Sequence, residues 1–228
     1  MGMNVGTSRS GLWRSRVALA VAGLLAPGRR GVRGASAPTR DAVESAARRL
    51  RSIEAIGRQA LLAVAGSLFV SLCAQVAVYL PFSPVPVTGQ TFGVLVVGAL
   101  LGSRLGAAAL LLYLAEGAVG LPVFSPGPTW GLARLLSPSG GYLLGFVASA
   151  WLVGRLGEAG WHRRLGTAVL SLLLGSVAIY VGGLVGLAIY FPLDKAVAVG
   201  VLPFLVGDAL KVLVALGVIV GQRPLAWR

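Results

Sequence analysis

The stretch AVAVGVLPFLVGDALKVLVALGVIVG, residues 196–221, decides how the rest of the chain is read. It is apolar except at Asp208 and Lys211, and it exceeds the roughly 20 residues a helix needs to cross a bilayer core. A helix entering at Ala196 and rising about 1.5 Å per residue carries Asp208 about 18 Å deep, slightly past the middle of a core about 30 Å thick. Neither charge snorkels easily from there. Each costs roughly 2.5–3.5 kcal/mol at a helix centre, so neither faces lipid. Their i, i+3 spacing puts both on one helix face, where they can touch. Either they pair and staple a helix bundle, or they line a substrate cavity in which Asp208 accepts hydrogen bonds and Lys211 offers a cation to an anion. Two neighbours favour the cavity. Pro203 leaves a carbonyl one turn back without its donor, and broken backbone is tolerated in a membrane where it borders protein or a cavity. Gly207 lets a ligand approach the backbone beside Asp208.

Composition agrees with a membrane setting: 56% of the 228 residues are hydrophobic and 12% charged, with a mean hydropathy of +0.84. The formal charge of +13 does not indicate a nucleic-acid partner. The first 58 residues hold eleven Arg against three acids and supply +8 of it, and the remainder has no solvated basic face. The single cysteine, Cys73, excludes an internal disulfide framework, and the single histidine, His162, has no second His or Cys nearby with which to share a metal.

The N-terminal segment, residues 1–57, is read as a basic extension. Its ten-residue apolar run VALAVAGLLA (17–26) is too short to span, so it is a signal-like h-region, part of an Arg- and Ser-rich transit peptide, or a disordered extension. DAVESAARRLRSIEAIGRQ (41–59) reads as an amphipathic helix on the membrane surface. Residues 58–222 form the membrane domain and 223–228 a short cytoplasmic tail. Apolar length and breakers predict six spans, at 61–80, 91–102, 105–121, 140–156, 165–191 and 196–221. The fold class is therefore an all-α integral membrane protein with six transmembrane helices.

Orientation follows from the basic residues. Arg48, Arg49, Arg51, Arg58, Arg104, Arg155, Arg163, Arg164, Arg223 and Arg228 fall on one side, against Arg134 and Lys195 on the other, which puts both termini in the cytoplasm and the Pro-rich loops outside. Small residues recur at Gly98, Gly102 and Gly106, at Ala63, Ser67 and Ser71, and at Gly182 and Gly186; such stripes let helices approach closely, within the chain or against a partner.

Other polar residues can reach the space around Asp208 and Lys211. Gln90 stands at the foot of the second span, where it either lines the cavity or caps the helix with Thr88 and Thr91. Glu116, three residues from Tyr113 on the same helix face, is either a second partner for Lys211 or reaches the outer interface. Tyr142 follows Gly140 and Gly141 at the mouth of the fourth span, while Trp130 and Trp151 read as interfacial anchors. G-x-S-x-G, H-E-x-x-H and Walker A patterns do not occur, so hydrolase, metalloprotease and ATPase activities lack their residues and no enzyme or cofactor is expected.

Four motifs in register, PFSPVPVTGQT (81–91), LYLAEGAVGLPVF (112–124), SPSGGYLLGF (137–146) and GVLPFLVGDALK (200–211), resemble the hallmark stretches of the BioY family. Those proteins are biotin-binding S components of energy-coupling factor transporters. The resemblance covers about residues 59–221. It implies a multi-pass plasma-membrane protein that captures biotin from outside. Its partners would be a transmembrane coupling subunit and two cytoplasmic ATPases. It also implies that Asp208 and Lys211 contact the vitamin and that the loop 122–139, with Arg134, covers the site. Chemistry favours Asp208 accepting the ureido N–H groups and Lys211 pairing with an anion. The substrate-binding residues expected are thus Asp208, Lys211, Gln90, Tyr142, Arg134 and Glu116. The competing readings are an S component for another small vitamin and a membrane-embedded enzyme using Asp208, Lys211 and Glu116.

Overall fold

The computed structural model describes residues 40–221. The 17–26 run, Arg223 and Arg228 lie outside the described residues. The chain divides into two units, Met1–Gly57 and Arg58–Arg228. In the first, the described part is the opening of helix α1 (Arg40–Gln75), with an exposed i, i+4 pair in which Arg48 Nη2 lies 3.3 Å from Glu44 Oε2.

The second unit carries the packing. Helix α1 ends at Gln75, short of the 61–80 span expected for it, because the chain pairs instead: β1 (Ala77–Val78) lies antiparallel to β2 (Val87–Thr88), with Ala77 opposite Thr88. The Gly89 N–H closes this hairpin by donating to Val76 O at 2.9 Å. Pro81, Pro84 and Pro86 stop any helix in the connection. This short ladder is a correction to the all-α expectation, and a loop of proline-rich backbone too short to wander is its cause.

Helix α2 (Gln90–Ala118) is broken at Gly102, whose φ of 78° and ψ of 178° suit a residue without a Cβ. The break reverses the chain. Gln90 Nε2 donates to the Tyr113 hydroxyl at 2.5 Å, although a straight helix would separate the two residues by about 34 Å. A Cβ built on Gly106 would lie 3.2 Å from Gly98 Cα. The two halves therefore run antiparallel. Gly98, Gly102 and Gly106 are consequently not one helix stripe: Gly102 is the turn, and Gly98 and Gly106 face each other across it.

After the single turn α3 (Leu132–Leu135) comes α4 (Gly140–Glu158), then α5 (Leu165–Leu187). Helix α4 packs against both α2 and α5 with little side chain between: a Cβ on Gly98 would meet Ala150 O at 2.7 Å, and one on Gly141 would meet Gly182 O at 2.3 Å. Close backbone approach through small residues is the usual way apolar helices associate in lipid. At the Gly102 end, Glu158 holds the reversal: Ser103 N donates to its Oε1 at 2.7 Å and Ser103 Oγ at 2.9 Å.

The last segment is α6 (Leu193–Gly200), a 3-10 turn (Leu202–Phe204) and α7 (Leu205–Gly221). The turn follows from Pro203. Its missing N–H orphans the carbonyl of Val199, which accepts instead from Ser83 Oγ at 2.8 Å. Phe204 N turns back to Val201 O at 3.0 Å, and the freed Gly200 O accepts from the Tyr142 hydroxyl at 2.6 Å. By length and composition Arg48–Gln75, Gln90–Ala118, Leu165–Leu187 and Leu193–Gly221 can each cross a membrane, the second being the folded-back α2. One buried cluster, including Val94, Tyr113, Phe124, Leu143, Phe146 and Ile179, lies around the site described next; another, including Leu95, Val153, Leu172 and Ile219, fills the remainder.

Candidate substrate-binding site

The cavity is built where broken backbone converges: the start of α2, the start of α4, the middle of α5 and the opening turns of α7, roofed by the segment 124–139. Its lining joins apolar side chains to a few charged and polar ones, the pattern of small-molecule sites. Leu143, Phe146, Ile179 and Phe204 make an apolar wall, and Phe124 another.

Asp208 sits on one side of it. Its residue is 7% exposed, so an unpaired carboxylate there would be costly. It is well satisfied. Lys211 Nζ donates to Oδ1 at 2.7 Å, Thr91 Oγ1 to the same oxygen at 3.1 Å, and the Tyr180 hydroxyl to Oδ2 at 2.5 Å. A carboxylate offers about four lone-pair positions, so three donors leave roughly one, on Oδ2. Lys211 spends one of its three N–H groups on Asp208 and keeps the others.

Arg134 stands apart from that network, held by the roof. Its residue is 6% exposed, and its partners are neutral: Nη2 donates to Ser125 Oγ at 2.7 Å and Nη1 to Thr129 Oγ1 at 3.3 Å. Among the described residues no carboxylate lies within ion-pair distance of it. A buried guanidinium facing only hydroxyls retains its charge and most of its five donors for an anion.

Gln90 lies beside these groups with its amide partly committed, Thr88 Oγ1 donating to Oε1 at 2.8 Å and Nε2 donating to Tyr113; one amide N–H remains. Tyr142 is a buried wall residue whose hydroxyl is tied to Gly200 and whose ring centroid lies 6.5 Å from that of Phe204. Five of the six residues expected from the sequence, Asp208, Lys211, Gln90, Tyr142 and Arg134, thus line one cavity. Glu116 does not. Its carboxylate accepts from the Ser67 hydroxyl of α1, and neither Lys211 nor the cavity wall includes it. The same contact turns Ser67, with Ser71 beside it, inward: both are buried, so this stripe packs within the chain.

Phe124 and Ser125, from the loop expected to cover the site, also line the cavity, as does Thr91, which the sequence left open as a helix cap; Tyr180 lines it too and has no place in the sequence-based expectation. Tyr180 carried a legible signal: it lies alone among apolar residues of α5, where a buried phenol needs a partner. Among the described residues no group of three His, Cys, Asp or Glu could hold a metal ion.

An apolar helical unit with a cavity lined by an ion pair and a separately held guanidinium has the character of a membrane protein that binds a small molecule. The BioY family model matches residues 44–226, and the chain belongs to the BioY family. It is 39% identical over 160 residues to a probable biotin transporter BioY of Pyrococcus horikoshii, covering 69% of this chain and 91% of that protein. A biotin transporter BioY of Rhizobium etli is 36% identical over 163 residues, covering 68% and 87%. A 2.1 Å crystal structure of the S component for biotin from an ECF-type ABC transporter shares the fold with a TM-score of 0.67 at 24% identity, covering 75% of this chain and 93% of that one.

Proposed function

We propose that this chain is the substrate-binding membrane subunit for biotin uptake, an S component that takes biotin from the outer face and acts with an energy-coupling module. The observation that carries the reading is the division of charge inside the cavity. Biotin has a cyclic urea at one end, with two N–H donors and a carbonyl, then an apolar ring and chain, then a carboxylate. The Asp208–Lys211 pair suits the urea, an acceptor beside a donor, and Arg134 suits the carboxylate because its guanidinium is unpaired. The apolar wall between them suits the chain. This reverses the sequence-level preference for Lys211 as the anion's partner, since the Lys211 ammonium is neutralised by Asp208.

Six crossings accommodate the fold, with α1, each half of α2, α4, α5 and the α6–α7 segment counted once. Both termini are then cytoplasmic in a plasma-membrane protein, and the 124–139 roof faces outside. The chain has no nucleotide-hydrolysing motif, so a transmembrane coupling subunit and two cytoplasmic ATPases supply the energy. Biotin is cargo, and no cofactor is involved. Labelled biotin is expected to bind the detergent-solubilised protein and to be displaced by unlabelled biotin but not by other small vitamins. Displacement by another vitamin and not by biotin would contradict the assignment.

A further inference from the structure

A second, outward-open cleft adjoins the first cavity, lined among others by Gln75, Pro122, Phe124, Ser125, Thr129 and Trp130. Phe124 and Ser125 line both cavities, so they are the partition between them. Arg134 sits at that partition. One arm of its guanidinium donates to Ser125, which both cavities share, and the other to Thr129, which lines the second alone. Arg134, a wall of the first cavity, is thus hydrogen-bonded to a wall of the second. We propose that the second cavity receives the tail of a substrate extended through its carboxyl group by an amide, so that the protein binds N-acyl-lysine-type biotin conjugates as well as free biotin. This rests on the reading that Arg134 meets the carboxyl end of biotin.

The chemistry of the partition supports an amide there. A guanidinium has five donors, two of them used by Ser125 and Thr129, and an amide carbonyl needs only one of the rest. The conjugate loses the charge of the carboxylate but not the hydrogen bond. Beyond Arg134 the tail meets backbone carbonyls: those of Pro122 and Phe124 share Gln75 Nε2, at 3.5 and 3.4 Å, with the nearer Ser71 O at 3.1 Å, and each keeps a lone pair for an amide N–H. The polar end need not be desolvated, because the walls open outward. Trp130 is 61% exposed and Leu121 51%, with Pro126 and Thr129 also exposed.

The test is competition against labelled biotin on the purified full chain, with biotin, biotinamide and biotinyl-lysine. Biotinyl-lysine is expected to compete within about 3-fold of biotinamide, because its extra atoms have a cavity to enter. A weakening of about 10-fold or more relative to biotinamide would overturn the proposal, since a tail with no space must clash or distort the roof. On the protein side, Leu121→Trp narrows the second cleft and Leu121→Ala leaves it open. Relative to L121A, L121W is expected to weaken biotinyl-lysine by about 10-fold while changing biotin by less than about 3-fold. Equal losses for both ligands would contradict the proposal. Failure of biotin itself to bind the unaltered chain would instead overturn the reading of the first cavity.

Discussion

The two buried cations of the cavity are held in opposite ways. Lys211 lies on a regular helix, one turn from the carboxylate that neutralises it, and that carboxylate is braced by Thr91 from α2 and Tyr180 from α5. Arg134 lies in a one-turn helix within a loop, with neutral hydroxyls supplied by its own loop. The first arrangement is complete without ligand and rigid because three helices contribute to it. The second is incomplete in charge, and on the proposed assignment the ligand's anion would complete it. A cavity with one finished and one unfinished ionic site would then discriminate by hydrogen bonding at the first and by charge at the second.

The largest effect should come from breaking the finished site. Asp208→Asn leaves the Lys211 ammonium buried without its counter-charge and removes the acceptor for the urea, so biotin affinity should fall about 100-fold, equivalent to roughly 3 kcal/mol, in equilibrium binding of labelled biotin. Arg134→Ala acts only on the charged end. It should weaken biotin about 30-fold, or about 2 kcal/mol, and biotin methyl ester much less, since an ester offers the guanidinium only a neutral carbonyl to meet. Tyr180→Phe removes one brace without touching the ion pair, and should cost about 1 kcal/mol, read as a roughly 5-fold weaker Kd for biotin and its methyl ester alike.

The smallest effect lies away from the cavity, at the turn between the halves of α2. Glu158 accepts from the Ser103 backbone N–H and hydroxyl, and these bonds hold its carboxyl below the usual carboxylate range. A carboxyl depressed on folding adds stability above its ordinary value and loses that contribution as pH falls through the folded value. Thermal stability of the solubilised protein should therefore decline slightly more steeply than that of Glu158→Gln as pH falls below about 5, with the two parallel between about pH 7 and that point, and binding at neutral pH should not change.

Much of this was legible in the residues. Asp208 and Lys211 announce themselves because a helix period and a bilayer thickness suffice to place them inside. The break at Gly102 is readable from a glycine near Arg104, and the disturbance around Pro203 from its missing donor. What was not legible depends on rotation and distant pairing. The carboxylate of Glu116 is three residues from Tyr113, yet it turns to Ser67 on α1, a choice made by how two helices pack rather than by their spacing. The glycines at 98, 102 and 106 have the period of a stripe, but the φ of 78° at Gly102 folds the stripe on itself. The lack of a counter-charge at Arg134 could not be seen at all from the sequence, because it requires knowing which carboxylates the fold keeps away. Tyr180 stands out as a phenol in an apolar helix, but its partner, 28 residues on in another helix, does not.

On the proposed assignment, one end of the cavity reads charge and the other does not. This is tested most directly by titrating biotin and biotin methyl ester into the unaltered protein and into Arg134→Ala. The account predicts that the unaltered protein prefers biotin to its ester by about 30-fold and that Arg134→Ala abolishes this preference. An undiminished preference in Arg134→Ala would place the carboxylate elsewhere in the cavity and contradict the division of labour between Arg134 and the Asp208–Lys211 pair.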